Sequence, residues 1–85
     1  MPTDAMQTSV KTEFMALQQE ADFALWRARE ANAQLRDAFV RHLRGEGAAP
    51  SGEELKAVVE IADEAEVKYR ALRSFLRLHV AGRAD

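Results

Sequence analysis

Apolar residues recur at alternating steps of four and three along two long segments of the chain. The first seam comprises Val10, Phe14, Leu17, Ala21, Ala24, Ala28, Ala31, Leu35, Ala38 and His42. The second seam comprises Leu55, Val58, Ala62, Ala65, Tyr69, Leu72, Leu76 and His79. Steps that average 3.5 residues keep side chains on one face of an α-helix. The pattern therefore predicts an all-α protein with two helices, each burying one stripe in the manner of a coiled coil.

Residues with preferences for helix ends delimit these two helices. Thr3 or Asp4 is a candidate N-cap for the first helix, and Gly45 stands where a left-handed C-cap belongs. Ser51 opens a Ser-Gly-Glu-Glu sequence, which is typical of a capping box. We therefore predict one helical-hairpin domain over residues 1–85. Its parts are a helix at about residues 4–44, a turn at 45–50 and a helix at about 52–81.

Charge and turn length both predict that the helices run antiparallel. A turn this short joins neighbouring antiparallel helices. Each helix is acidic in its first half and basic in its second half, so an antiparallel pair places opposite charges side by side and a parallel pair places like charges together. With the turn setting the register, Ala28 is expected near Tyr69 and Ala21 near Leu76.

The hairpin by itself offers little core. Each helix of such a pair has only one covered face, and small scaffolds of this kind usually need a disulfide, a metal or an oligomer. The 85-residue chain contains no cysteine, so disulfides and thiolate metal sites are excluded. We therefore expect self-association.

Apolar side chains outside the two seams indicate where a second copy docks. The expected oligomer or partner interface comprises Phe23, Trp26, Val67, Ala71, Phe75 and Leu78. The longer first helix is also expected to extend beyond the second as an overhang, whose apolar residues are Met6, Val10 and Phe14. Because clustered exposed aromatic side chains mark interaction sites, we expect a homodimer that forms a four-helix bundle, or a tetramer.

Two other kinds of partner are compatible with the same residues. A partner protein's amphipathic helix could occupy the outer apolar stripe, which would make the chain an adaptor or a small chaperone. Nucleic acid could bind the basic half of the second helix through Lys68, Arg70, Arg73 and Arg77. The net charge of −2 and the acidic residues expected beside this stretch favour an intramolecular charge match instead.

Candidate chemistry is sparse, so we expect no enzyme, metal or cofactor. His42 and His79 fall at opposite ends of an antiparallel hairpin, where each is expected to interact with terminal carbonyl groups. The acidic cluster of Glu60, Asp63, Glu64 and Glu66 lacks the Glu-x-x-His motifs of di-metal bundles and is expected to be a solvated face. For Glu66, which flanks the seam, the alternative is a pair with an arginine of the first helix.

The composition also bears on the compartment. The sequence contains no run of about 18 apolar residues that would span a membrane. Its N-terminal Met-Pro-Thr-Asp lacks the basic and apolar stretches of a secretory signal. A soluble, cytoplasmic protein is therefore expected.

Overall fold

The two seams form two helices that pack against each other over most of their length. The structure is a computed structural model that describes the backbone of residues 2–80 and the side chains of residues 9–80. Helix α1 spans Pro2–Leu43 and helix α2 spans Gly52–His79. Asp22 contacts Tyr69, whereas Arg27 contacts Glu64, so the helices run antiparallel. The prediction of an all-α antiparallel hairpin is confirmed, and the molecule measures 66 × 23 × 17 Å.

Local sequence signals determine how the two helices meet at the turn. Gly45 has a φ of 76°. Its N–H donates to the carbonyl oxygen of His42 at 2.9 Å. The N–H of Glu46 donates to the carbonyl oxygen of Arg41, also at 2.9 Å. These two bonds form the Schellman motif, which satisfies the last carbonyl groups of a helix. Ser51 is the N-cap of α2, because its Oγ accepts from the N–H of Glu54 at 3.0 Å.

The beginning of α1 differs from the prediction. The helix begins at Pro2, so Thr3 and Asp4 lie inside it rather than at its cap. Proline is well suited to the first helical position, because it lacks an N–H that would have no partner there. Helix α2 ends at His79, about two residues before the predicted end near residue 81.

The core between the helices is thin and consists mainly of alanine. Among the described residues, the buried side chains are Ala21, Ala24, Ala28, Ala65 and Phe75. Alanine permits the helix axes to approach closely, but each buried methyl group removes little apolar surface from water. Leu17, Leu35 and Leu72 are only partly buried. The first seam therefore faces α2 as predicted, apart from His42, which is exposed.

The register differs from the predicted one by about one heptad. Tyr69 lies beside Asp22 instead of Ala28, while Ala28 clusters with Ala65 and Ile61. The cause is the turn, because the chain after Gly45 folds back along α1. His42 Nδ1 donates to the carbonyl oxygen of Gly47 at 3.0 Å in this segment. The first residue of α2 consequently lies beside α1 about one helical turn before the last residue of α1, and not level with that last residue.

This register also corrects the predicted positions of two aromatic residues. Phe75, expected on the outer stripe, is only 8% exposed and stacks on Phe14 with ring centroids 6.3 Å apart. Phe14 was expected on the overhang, but it is partly buried against the last turns of α2. Val10 is likewise partly buried, and the side chain of Met6 lies outside the described residues. Leu55 and Leu76 of the second seam are exposed, because the buried face of α2 is displaced towards Phe75.

Candidate protein-interaction site

The outer face of α1 carries an exposed aromatic pair. Phe23 and Trp26 are 61% and 58% exposed, and their rings stack with centroids 6.1 Å apart. Phe23 lies two residues after the buried Ala21 and Trp26 lies two residues after the buried Ala24, and a step of two residues turns a helix by about 200°. The pair therefore points away from α2, as the sequence predicts. The two rings together form a rigid apolar surface.

The outer face of α2 carries a separate apolar stripe. Val67, Ala71 and Leu78 are exposed. Val67 lies two residues after the buried Ala65, and Leu78 lies one residue before the partly buried His79, so the turn of the helix directs both away from α1. Since the two helices lie side by side, their outer faces point in opposite directions. The residues predicted to share one interface therefore lie on two separate surfaces, and Phe75 belongs to neither.

A third apolar surface, which the sequence analysis missed, lies where the turn joins the helices. We define the turn-end patch as Phe39, Val40, Leu43, Leu55 and Val59. Phe39, Val40 and Leu55 line a groove of about 500 Å³ together with Leu35 and Pro50. The signal was present as apolar pairs four residues apart at Phe39–Leu43 and Leu55–Val59, in which only Leu55 belongs to a seam.

The basic half of α2 is largely matched by carboxylates. Lys68 Nζ lies 3.6 Å from a carboxylate oxygen of Glu20 on α1. Arg70 and Arg73 both contact Glu66, at 3.7 and 3.1 Å. Glu66 therefore pairs within α2, in contrast to the predicted alternative of a pair with an arginine of α1. Three of the four candidate nucleic-acid contacts therefore have a carboxylate within 4 Å.

Across the helix pair, charged side chains follow the predicted antiparallel match. Arg27 Nη1 lies 3.4 Å from Glu64 Oε2, in addition to the Lys68–Glu20 pair. All four side chains are 38% exposed or more, so each pair contributes little to stability. Their effect is to favour the antiparallel orientation over the parallel one.

Tyr69 lies against α1 and has a shifted pKa. Its hydroxyl donates to Asp22 Oδ1 at 3.0 Å. Burial raises the pKa of Tyr69 above its ordinary value of 10.0, and the hydrogen bond to the carboxylate and its negative charge raise the pKa further. The arrangement holds the phenol neutral and joins the two helices.

Neither a metal centre nor a membrane segment is visible in the part of the chain that the structure describes. In residues 9–80, no three His, Asp or Glu side chains come together as a metal ion would require. Neither described helix contains a stretch that is long and apolar enough to cross a bilayer. The acidic cluster of Glu60, Asp63, Glu64 and Glu66 is exposed along α2.

The described features define the class of the molecule as an antiparallel α-helical hairpin with three exposed apolar surfaces. No family model, curated protein or solved structure matched the chain.

Proposed function

We propose that this chain is a non-enzymatic helical module that acts through protein–protein association, with a second copy of itself as its first partner. One observation carries the proposal. The hairpin exposes 6792 Å², whereas a compact monomer of 9.5 kDa is expected to expose roughly 5,050 Å². The excess of about 1,700 Å² falls within the area that each subunit of an obligate homodimer covers, about 1,000–2,500 Å².

The composition of the core supports the same proposal. Four of the five buried side chains are alanines, and Phe75 is the one large buried side chain among the described residues. In contrast, twelve large hydrophobic side chains are more than a third exposed. Apolar burial is the main favourable term in folding, so a two-layer hairpin gains stability when another layer covers these residues. A four-helix bundle made from two hairpins supplies that layer.

The experiment that tests the proposal is sedimentation equilibrium of the unmodified chain at micromolar concentrations. We expect a dimer or a tetramer. A monomer at every concentration would overturn the proposal, because the exposed apolar surface would then be stable in water without a second copy. Measurements at low and high salt separate apolar association, which persists in salt, from association through surface charges, which is screened.

A second candidate function is that of an adaptor for a partner's amphipathic helix. It is favoured by the Phe23–Trp26 pair, which points away from α2 and lies outside the turn-end patch. A pair of stacked rings is a rigid anchor of the kind that dominates interface energies. Sedimentation distinguishes the two functions, because an adaptor whose outer face waits for another protein remains monomeric alone.

A further inference from the structure

The turn-end groove lies on one broad face of the hairpin, and residues at heptad spacing identify that face. Arg36 and Leu55 both line the groove. Asp22 lies two heptads before Arg36 on α1, and Tyr69 lies two heptads after Leu55 on α2. Because Tyr69 and Asp22 are hydrogen-bonded to each other, the groove and this bond lie on the same side of the helix pair.

This broad face changes character along its length. Near the turn it is apolar, with Phe39 and Leu55 50% and 51% exposed on either side of the groove. Further from the turn it is charged. On α1, the charged residues in order of distance from the turn are Arg29 and then Asp22. Both affect the pKa of Tyr69: Asp22 raises it and Arg29 lowers it. On α2, the neighbouring charged residues are Glu66 and then Arg73, which contact each other at 3.1 Å.

We infer that this broad face is the self-association surface, occupied by the same face of a second copy with both turns at the same end. The inference rests on the proposed function and specifies its interface. A twofold axis parallel to the helices then places α1 of one copy across α2 of the other. The apolar grooves of the two copies then meet across the axis. Turns at opposite ends would instead lay each apolar half on a charged half.

The area of the face agrees with this arrangement. The molecule is 66 Å long and 23 Å across the two helices. The half of this face nearer the turn therefore offers about 750 Å² per copy, close to the standard of about 800 Å² per partner in stable complexes. The apolar half alone is therefore large enough for a specific dimer.

A distance measurement between two turns tests the inference on an undisturbed interface. The chain contains no cysteine, and a Cβ at Gly47 meets no atom within 4 Å. A spin label on Gly47→Cys therefore occupies a unique, open position. With helix spacings of 8–10 Å, turns at the same end give a label separation of roughly 20 Å. A separation approaching the 66 Å length of the hairpin would overturn the inference and leave the proposed function standing.

Paired substitutions test which surface is covered. Phe39→Glu with Leu55→Glu places a charge on both sides of the groove, and we expect loss of the dimer in sedimentation. The matched control is Gln34→Glu with Ala57→Glu, which places one charge per helix beside the smaller groove, of about 260 Å³, on the other broad face. This control should remain dimeric. Circular dichroism shows whether each variant keeps its helices. A groove variant that stays dimeric contradicts the inference, whereas a monomeric unmodified chain contradicts the proposed function as well.

Discussion

Phe75 is the largest buried side chain among the described residues. Its ring lies 4.3 Å from the ring of His79 and 6.3 Å from that of Phe14, measured between centroids. The remaining buried side chains are alanines, which offer one methyl group each. The open end of the hairpin is therefore held by one aromatic cluster.

Phe75→Ala is expected to lower the free energy of unfolding by about 3 kcal/mol, near the lower end for buried phenylalanine because the site is only two helices deep. Urea denaturation followed by circular dichroism measures the change. Ser74→Ala, at the exposed neighbouring position, serves as the control and should alter stability by less than about 0.5 kcal/mol. Equal effects of both substitutions would show that Phe75 is not buried.

Tyr69 makes the stability of the hairpin depend on pH in the alkaline range. Its pKa is raised in the folded state, so its contribution is fully present below pH 10 and is lost as the pH rises through the folded pKa. The chain contains a single tyrosine, so the ultraviolet absorbance of phenolate reports this group alone.

Asp22→Asn is expected to lower the pKa of Tyr69 towards its ordinary value, since the substitution removes the negative charge beside the phenol. Burial of the ring remains and keeps the pKa from falling fully. Glu30→Gln removes a carboxylate on the outer side of α1 and is the control. Absorbance titrations of the two variants should differ, and identical curves would contradict the Tyr69–Asp22 contact.

At the scale of the elements, the turn determines the register of the two helices. Helix α1 ends at Leu43 and is followed by Gly45, whose backbone is in the left-handed region. The N-cap of α2, Ser51, lies eight residues after Leu43. Between them the chain returns along α1 and is held by His42. The geometry of this segment, more than the pairing of particular alanines, decides which residues lie opposite each other.

Gly45→Ala is expected to destabilise the hairpin by about 1 kcal/mol or more, because a Cβ is unfavourable at a φ of 76°. Gly47 provides the matched control in the same loop. It has a negative φ and open space around it, so Gly47→Ala should be neutral or slightly stabilising. Thermal unfolding of both variants measures the two changes in stability, which should differ in sign or be close to zero for Gly47→Ala.

The sequence predicts the local features of the turn but not its register. The N-cap at Ser51 and the left-handed Gly45 follow from a few neighbouring residues, and both are confirmed. The pairing of Ala28 with Tyr69 was wrong by about one heptad. A seam built mainly of alanine repeats every seven residues, so sliding one helix by a heptad presents nearly the same face. Only the path of the loop distinguishes the alternatives.

At the scale of the whole molecule, the balance between core and surface predicts that stability depends on concentration. Association that requires the folded state stabilises it by mass action. A tenfold increase in chain concentration should add about 1.4 kcal/mol per mole of dimer, and raise the midpoint of thermal unfolding by a few degrees. Scans over a hundredfold range of concentration test this, and a constant midpoint would indicate a monomer.

The exposed surfaces could be predicted only in part. The Phe23–Trp26 pair and the stripe of Val67, Ala71 and Leu78 were identified because they fall between seam positions. The turn-end patch was missed because Leu55 continues the heptad pattern, although no part of α1 covers it fully. Whether a seam residue is buried depends on where the opposite helix lies, and that depends on the register.

Because Trp26 is exposed, its fluorescence reports whether another molecule covers the outer face of α1. The chain contains one tryptophan, stacked on Phe23 and 58% exposed. Indole in water emits at longer wavelengths than indole in an apolar environment. Dimerisation through the turn-end groove leaves that emission unchanged, whereas any molecule that settles on the back of α1 shifts it to the blue. Fluorescence of the unlabelled chain thus distinguishes occupancy of one face from occupancy of the other.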